Sequence, residues 1–353
     1  MKFSLRFVLT ALLFTVGAIA LASSFFGSNA ASAAQLRTAV FNGPTGIATC
    51  GSHVWVTNAT GNSVTELNAS NGARVQIIGS ASGDLSEPMG IAANGTDLWV
   101  ANLSSNSVAE IDCGTGSSIR NINSGGLNSP VAVAVGGTKV WVASQAHQID
   151  PTTGNMIPNS SSVSAYGTRK GSLDESINGT NVNDLNGSSG ISVSGGNVWI
   201  TNANGNSVTE LNAKTGHVVR NVEGNVGGFK WPMGIASTGA DVWVANLDGN
   251  SLTEINESTG SVMRVVTGDG LNGPDSICVL GKAIWVTNLF GNSVTELNSR
   301  NGSLIRVIQS KSDGFSAPTG ITGGGSAVWV TNQWSNTVTE IKASNGSLQR
   351  IIR

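Results

Sequence analysis

The stretch VWVTNATGNSVTELN (Val54–Asn68) returns along the chain, and that recurrence limits the fold more than any other property of the sequence. Close copies start at Leu98, Val198, Val242, Ile284 and Val328, and a worn one, VWVASQAHQIDPTTG, starts at Val140. Each carries one tryptophan: Trp55, Trp99, Trp141, Trp199, Trp243, Trp285 and Trp329, at spacings of 44, 42, 58, 44, 42 and 44 residues. A unit repeated at such a period cannot bury its apolar face alone, so the copies must stack on one another.

A second signature precedes each copy: PTGI at Pro44, PMGI at Pro88, PVAV at Pro130, SSGI at Ser188, PMGI at Pro232, PDSI at Pro274 and PTGI at Pro318. A Gly-containing turn and another β-branched run follow each copy. In the first unit, strands are predicted to begin at Gly46–Thr49, then over His53–Asn58, Ser63–Asn68 and Arg74–Ile78. Charged residues make up only 11% of the chain, which has 46 glycines; short strands joined by turns suit that composition and helices do not. Four strands per unit of about 42–44 residues is the period of a propeller blade. The predicted fold is therefore all-β: a seven-bladed β-propeller with four antiparallel strands per blade, as a single domain over 35–353. The 58-residue spacing implies an insertion at about 160–188, within Asn155–Ser189, carrying Tyr166, Arg169, Lys170, Asp174 and Glu175. It reads as a lid over the channel or as a tolerated loop extension. Both QLRTAV (Gln35–Val40) and LQRIIR (Leu348–Arg353) resemble a fourth strand, so both termini are expected at the last blade, one strand being added at its edge.

Residues 1–34 read as a cleaved secretory signal. Lys2 and Arg6 precede an apolar run, Phe7–Leu21, and Ala31-Ser32-Ala33 offers a small-residue cleavage site. Without Lys2 and Arg6, the 19 basic residues become 17 against 21 acidic ones, a net charge of −4. That weak, scattered charge argues against nucleic acid and, once the signal is removed, against a membrane. The expected location is secreted, periplasmic or at the cell surface. Cys50, Cys113 and Cys278 have no metal-type spacing; an exported chain could pair two of them, but their number and separation favour free thiols.

The VWVTN…NSVTELN…G and P-x-G-I units resemble YVTN-type repeats, and more broadly the extracytoplasmic seven-bladed propellers that include NHL-repeat and virginiamycin B lyase-like proteins. The likeness spans the chain after the signal. It implies the fold; for function it implies any of several roles, from binding scaffold to lyase or lactonase. The His that a lyase would use as general base has no counterpart at the mouth, where a lactonase would also gather several metal ligands.

Residues that recur in nearly every unit read as scaffold. These are the tryptophans, the Asn pairs such as Asn58 with Asn62, and the Glu column Glu66, Glu110, Glu210, Glu254, Glu296 and Glu340. The Arg column Arg120, Arg220, Arg264, Arg306 and Arg350 is expected to pair with the glutamates across strands on a wet surface. Function belongs where the units differ. Position x of the P-x-G signature, at the channel mouth, is Thr45, Met89, Val131, Ser189, Met233, Asp275 and Thr319; only Asp275 ionises. Glu87, Lys230 and Trp231 stand just before the prolines. Leu103, Leu247, Leu289, Phe290 and Trp334 occupy turns on the same face, with Phe229 and Phe315 in its connections. His53 and His217 fall on the opposite face, and His147 in the worn copy.

The favoured reading is a non-catalytic scaffold, monomeric, binding a peptide, glycan or protein through Trp231, Lys230, Asp275, Phe290 and Trp334, with no metal and no cofactor. The alternative is a lyase or lactonase-like hydrolase using Asp275 and Glu87, and a third is a ring that is merely displayed. GDGLNG (Gly268–Gly273) matches G-x-G-x-x-G but opens no helix, so dinucleotide binding is rejected.

Overall fold

A computed structural model describes residues 40–79, 84–145, 160–178, 185–224, 228–309 and 311–353. It contains seven four-stranded antiparallel sheets, each running in sequence order from the inside outward. Blade one is Pro44–Cys50, His53–Asn58, Ser63–Asn68 and Arg74–Gly79; blade seven is Pro318–Gly324, Ala327–Asn332, Thr337–Lys342 and Leu348–Ile352. Each innermost strand packs against the next, and the seventh returns to the first.

The core consists of layers between blades. The seven repeat tryptophans are at most 1% exposed, and each meets the following blade: Trp55 packs on Val100 of blade two, and Trp329 on Ile47 and Val56 of blade one. An indole of this kind removes about 200 Å² from water, worth about 5 kcal/mol at 25 cal/mol/Å². The second and third strands have neighbours on both faces, so VWV runs are buried without alternation, and period two survives mainly on outer strands such as Val262–Thr267.

The P-x-G glycine marks the tightest approach. A Cβ on Gly90 would lie 2.7 Å from the Val131 carbonyl of the next blade, and one on Gly234 would lie 2.6 Å from that of Asp275. The Asn pairs act as clamps. Asn58 holds its own hairpin through Ser63 and Thr65. Asn62, at φ +47°, accepts the Glu87 N–H of blade two at 2.6 Å. The same bond joins Asn106 to Ser129, Asn206 to Trp231, Asn250 to Gly273 and Asn292 to Ala317; Asn336 to Gly43, at 2.7 Å, closes the ring. Blade three lacks the Asn, and Ser161 replaces it toward Gly187.

Four expectations need correction. First, Ser162–Gly167 and Leu173–Asn178 are the third and fourth strands of blade three, not an insertion. SVSAYG is the worn counterpart of SVTELN, and the added length lies between Ser144 and Ser162, mostly in 146–159, outside the described residues along with His147. Tyr166 is buried, and its hydroxyl donates to the Ser124 carbonyl at 2.5 Å. Second, the glutamates are not on a wet surface. Glu110 and Glu340 are 2% and 3% exposed and pair with Arg120 and Arg350 at 2.5 Å; Glu210 and Glu296 pair with Arg220 and Arg306 at 2.7 Å, and Glu254 pairs with Arg264. The arginines reach onward: Arg350 covers Gly72 of blade one, and Arg120 covers Gly171 of blade three. In blade one, Gln76 and His53 flank Glu66 instead.

Third, Cys50 and Cys113 form a disulfide, since stacking brings a turn of blade one against a turn of blade two; Cys278 is free. Fourth, Leu348–Ile352 fills the outer slot of blade seven in ordinary sequence order, while Val40 accepts a hydrogen bond from Thr65 of blade one. Gln35–Ala39 lies outside the described residues, as do residues 1–34, to which the sequence reading assigned a signal.

Candidate functional site at the channel mouth

At the end of the channel where the prolines lie, the innermost strands surround a cavity of about 330 Å³. All seven x residues line it, so the ring of differences read from the sequence is a real surface in space. Trp231, Leu247, Leu289 and Gln333 join them.

The x residues follow a rule that joins two strands. Where x is Thr45, Ser189, Asp275 or Thr319, the facing residue of the second strand is Thr57, Thr201, Thr287 or Thr331; where x is Met89, Val131 or Met233, it is Ala101, Ala143 or Ala245. The strand-two threonines donate to the x carbonyl of the following blade: Thr57 to Met89 at 2.7 Å, Thr201 to Met233 at 2.6 Å, Thr287 to Thr319 and Thr331 to Thr45 at 2.8 Å. The x hydroxyls are satisfied as well. Thr45 Oγ1 lies 3.0 Å from Thr57 Oγ1 and 3.2 Å from the Pro88 carbonyl; Ser189 Oγ has the equivalent partners at 3.0 and 2.8 Å; Thr319 Oγ1 lies 3.1 Å from Thr331 Oγ1.

Asp275 departs from this pattern. A hydroxyl can donate to the neighbouring proline carbonyl, which an ionised carboxylate cannot do. Among the described residues the Asp275 side chain has no hydrogen bond and no ion pair, and burial alone pushes its carboxyl up to about 7. Some of its surface still faces the channel, yet protein surrounds it closely enough to strip most of its hydration.

Trp231 lies in the preceding connection, three residues before Gly234, which abuts the Asp275 carbonyl. Its φ is +54°, as at the equivalent Glu87, Ser129 and Ala317, where positions 43, 187 and 273 are glycine; the left-handed backbone costs a residue with a side chain about 1 kcal/mol. Trp231 and Met233 pack on Leu247, Leu289 and Ala317, giving this side of the mouth an apolar wall. The Trp231 indole N–H is buried without a partner among the described residues.

The other candidates lie elsewhere. Glu87 does not line the cavity; it sits in blade two, at φ +52°, and its carboxylate takes a hydrogen bond from Ser104. Asp275 is on blade six, so the pair assigned to an enzymatic reading is not brought together. Lys230, Phe290 and Trp334 are exposed outside the cavity lining, Trp334 at 65%. Phe229 and Phe315 are packed inward rather than displayed. They belong to a column three residues before the first residue of each P-x-G-I or SSGI signature, with Phe41, Leu85, Leu127, Leu185 and Leu271, an apolar recurrence already present in the sequence. The coupling of x to the strand-two Thr or Ala is equally present in the sequence, but it joins residues 12 apart on different strands and so has no local signature. His53 pairs with Glu66 on the opposite face. Among the described residues, no three His, Cys, Asp or Glu side chains are grouped to hold a metal ion.

No family profile and no curated protein matches the sequence. Solved structures do match. A streptogramin B lyase structure is 17% identical with a TM-score of 0.67, over 85% of this chain and 93% of the other. Catalytically inactive virginiamycin B lyase from Staphylococcus aureus, with quinupristin, is 18% identical at 0.65, over 84% and 94%. Hydrazine synthase from Kuenenia stuttgartiensis is 18% identical at 0.68, over 86% and 96%. At such identities the likeness establishes the propeller fold alone.

Proposed function

We propose that this propeller is a non-catalytic binding protein of the cell exterior, monomeric, which takes its ligand in the mouth cavity. The observation that carries the reading is the composition of that cavity: apolar walls from Trp231, Met233, Leu247, Leu289, Met89 and Val131, hydroxyls already bonded to the scaffold, and one ionisable group. Pre-formed, mainly apolar concavities of about 300–1,000 Å³ with few polar groups are the usual form of small-ligand sites. A metal site needs several oxygen ligands, and the second carboxylate of the enzymatic reading, Glu87, is turned to Ser104 instead. A peptide side chain, a glycan substituent or a small molecule fits the volume. The exterior address draws on the leader-like residues 1–34 and on the Cys50–Cys113 disulfide, a bond that persists in oxidising compartments. No helix among the described residues is long and apolar enough to cross a membrane.

A thermal-shift screen of peptides, glycans and small organic molecules tests this reading. A ligand is expected to raise Tm, with the rise lost in Trp231→Ala and kept in Trp334→Ala. Turnover of a lactone, or a divalent-ion stabilisation that disappears in Asp275→Ala, would replace it with the enzymatic reading.

A further inference from the structure

Resting on the reading of the mouth as a binding cavity, we propose that its ligand carries an organic ammonium group, seated against the Asp275 carboxylate and walled by Trp231 and Met233. Three independent features converge on this. The first is charge: the lining contains one acidic side chain and no basic one, so the only formal charge the cavity can offer is negative. Lys230, the nearest basic residue in sequence, is exposed and outside the lining.

The second is the unpartnered state of Asp275. The other polar x residues are tied to a strand-two threonine or to a carbonyl of the next blade, and Thr287 is present beside Asp275 to do the same. Thr287 makes the same backbone bonds as the other strand-two threonines, at Ser276 and Thr319, but none to the Asp275 carboxylate. The carboxylate is thus left for something that enters from the channel. An uncompensated buried carboxylate is unfavourable, and an incoming cation relieves it. A neutral ligand of the same shape does not.

The third is the wall. Trp231 and Met233 line the same cavity as Asp275 and pack together against Leu247, Leu289 and Ala317. An indole and a polarizable sulfur lining one cavity with a carboxylate suit an organic ammonium, above all an alkylated one, whose charge is diffuse and weakly hydrated. A metal ion would require several oxygen ligands, and the bonded hydroxyls of Thr45, Ser189 and Thr319 are committed to the scaffold.

The pH behaviour follows from the same geometry. The innermost strand of blade five, the second and innermost strands of blades six and seven respectively (Pro232–Ser237, Ala283–Asn288, Pro318–Gly324), carry no titratable residue. The second strand of blade five has only Asp241, at its far end, and the strand of Asp275 itself has only Cys278, whose thiol burial pushes up to about 12. Asp275 therefore titrates alone, near 7, and binding of a cation should weaken below that pH as the carboxyl takes up its proton.

Calorimetric titration of the whole chain with choline, n-pentylamine and 3,3-dimethyl-1-butanol, the last an uncharged match for choline, decides the matter. At pH 8 both amines are expected to bind about tenfold or more tightly than the alcohol. Asp275→Asn, nearly isosteric, should bring all three to the same affinity without lowering Tm. In the wild type, choline affinity should fall by up to about tenfold per pH unit below 7, while the alcohol is unaffected. Equal affinities in the wild type, unchanged cation preference in Asp275→Asn, or no binding of either amine would each overturn the ammonium assignment. The alcohol or a screened peptide binding in a Trp231-dependent manner under those outcomes would leave the cavity as a binding site, so the two readings fail separately.

Discussion

Asn336 closes the ring, and its replacement measures what holds the propeller shut. Its Oδ1 accepts the Gly43 N–H at 2.7 Å across the seam of blades seven and one, and its backbone sits at φ +52°. Asn336→Gly removes the acceptor but keeps the backbone relaxed, leaving a partly buried N–H unsatisfied, at about 1–3 kcal/mol. Asn336→Ala adds the left-handed penalty of a Cβ, about 1–2 kcal/mol. Alanine is therefore expected to be worse than glycine by about 1 kcal/mol or more, and Asn336→Asp, which keeps an acceptor, better than either. Asn206→Ala provides the internal comparison, because its bond to Trp231 N at 2.8 Å and its φ of +49° are nearly the same. Urea unfolding of the four variants reads these differences as shifts in midpoint. The same loss is expected at both seams, since no strand is exchanged at closure among the described residues and the seam uses the bonds of any other junction. Near-neutral glycine and alanine variants would refute the clamp. A much larger effect for Asn336 than for Asn206 would refute the equivalence of the seams.

Other outcomes follow from the same geometry. Gly90→Ala places a Cβ 2.7 Å from the Val131 carbonyl and 2.9 Å from the Ala132 Cα, so it should destabilise by about 1–3 kcal/mol in denaturant unfolding, whereas Gly51→Ala meets nothing within 4 Å and pays only for its φ of +58°. Reduction of Cys50–Cys113, or Cys50→Ser with Cys113→Ser, opens a link spanning 63 residues and should cost about 4 kcal/mol by loop entropy, read as a lower Tm with dithiothreitol. Burial pushes the Glu110 carboxyl up to about 7 and also raises Glu210, Glu254, Glu296 and Glu340, with their arginines pulling the other way. The folded state thus holds protons that the unfolded chain releases above about 4.5, so stability should be lost as pH rises from about 4.5 to 7; a Tm that rises over this range, or Glu110→Gln failing to blunt the fall, would count against it.

The recurring Trp, Pro-x-Gly and Asn spacing was enough to specify seven blades, because stacked identical units repeat their contacts and so repeat their residues. Blade three was misread because its third strand, SVSAYG, lost the Glu and Asn that mark the others while keeping only the alternation that the ladder requires. The x ring was legible for the complementary reason: residues that face an open channel need not match a neighbour, so they vary.

What the sequence by itself determined is local and periodic: strand order, turn positions and the seven-fold count, all set by the near-neighbour pattern of apolar, turn and hydroxyl residues. Only the tertiary structure decided which differences matter. Packing of strands and stacking of blades placed Cys50 against Cys113, buried the Glu column beside its arginines, and set Glu87 on Ser104 in blade two, away from Asp275 in blade six. The same packing also left Asp275 as the one charged group in the mouth cavity, because an isolated carboxylate is defined by what fails to approach it from other blades, and much of that surrounding comes from residues distant in sequence, such as Met233 and Thr319.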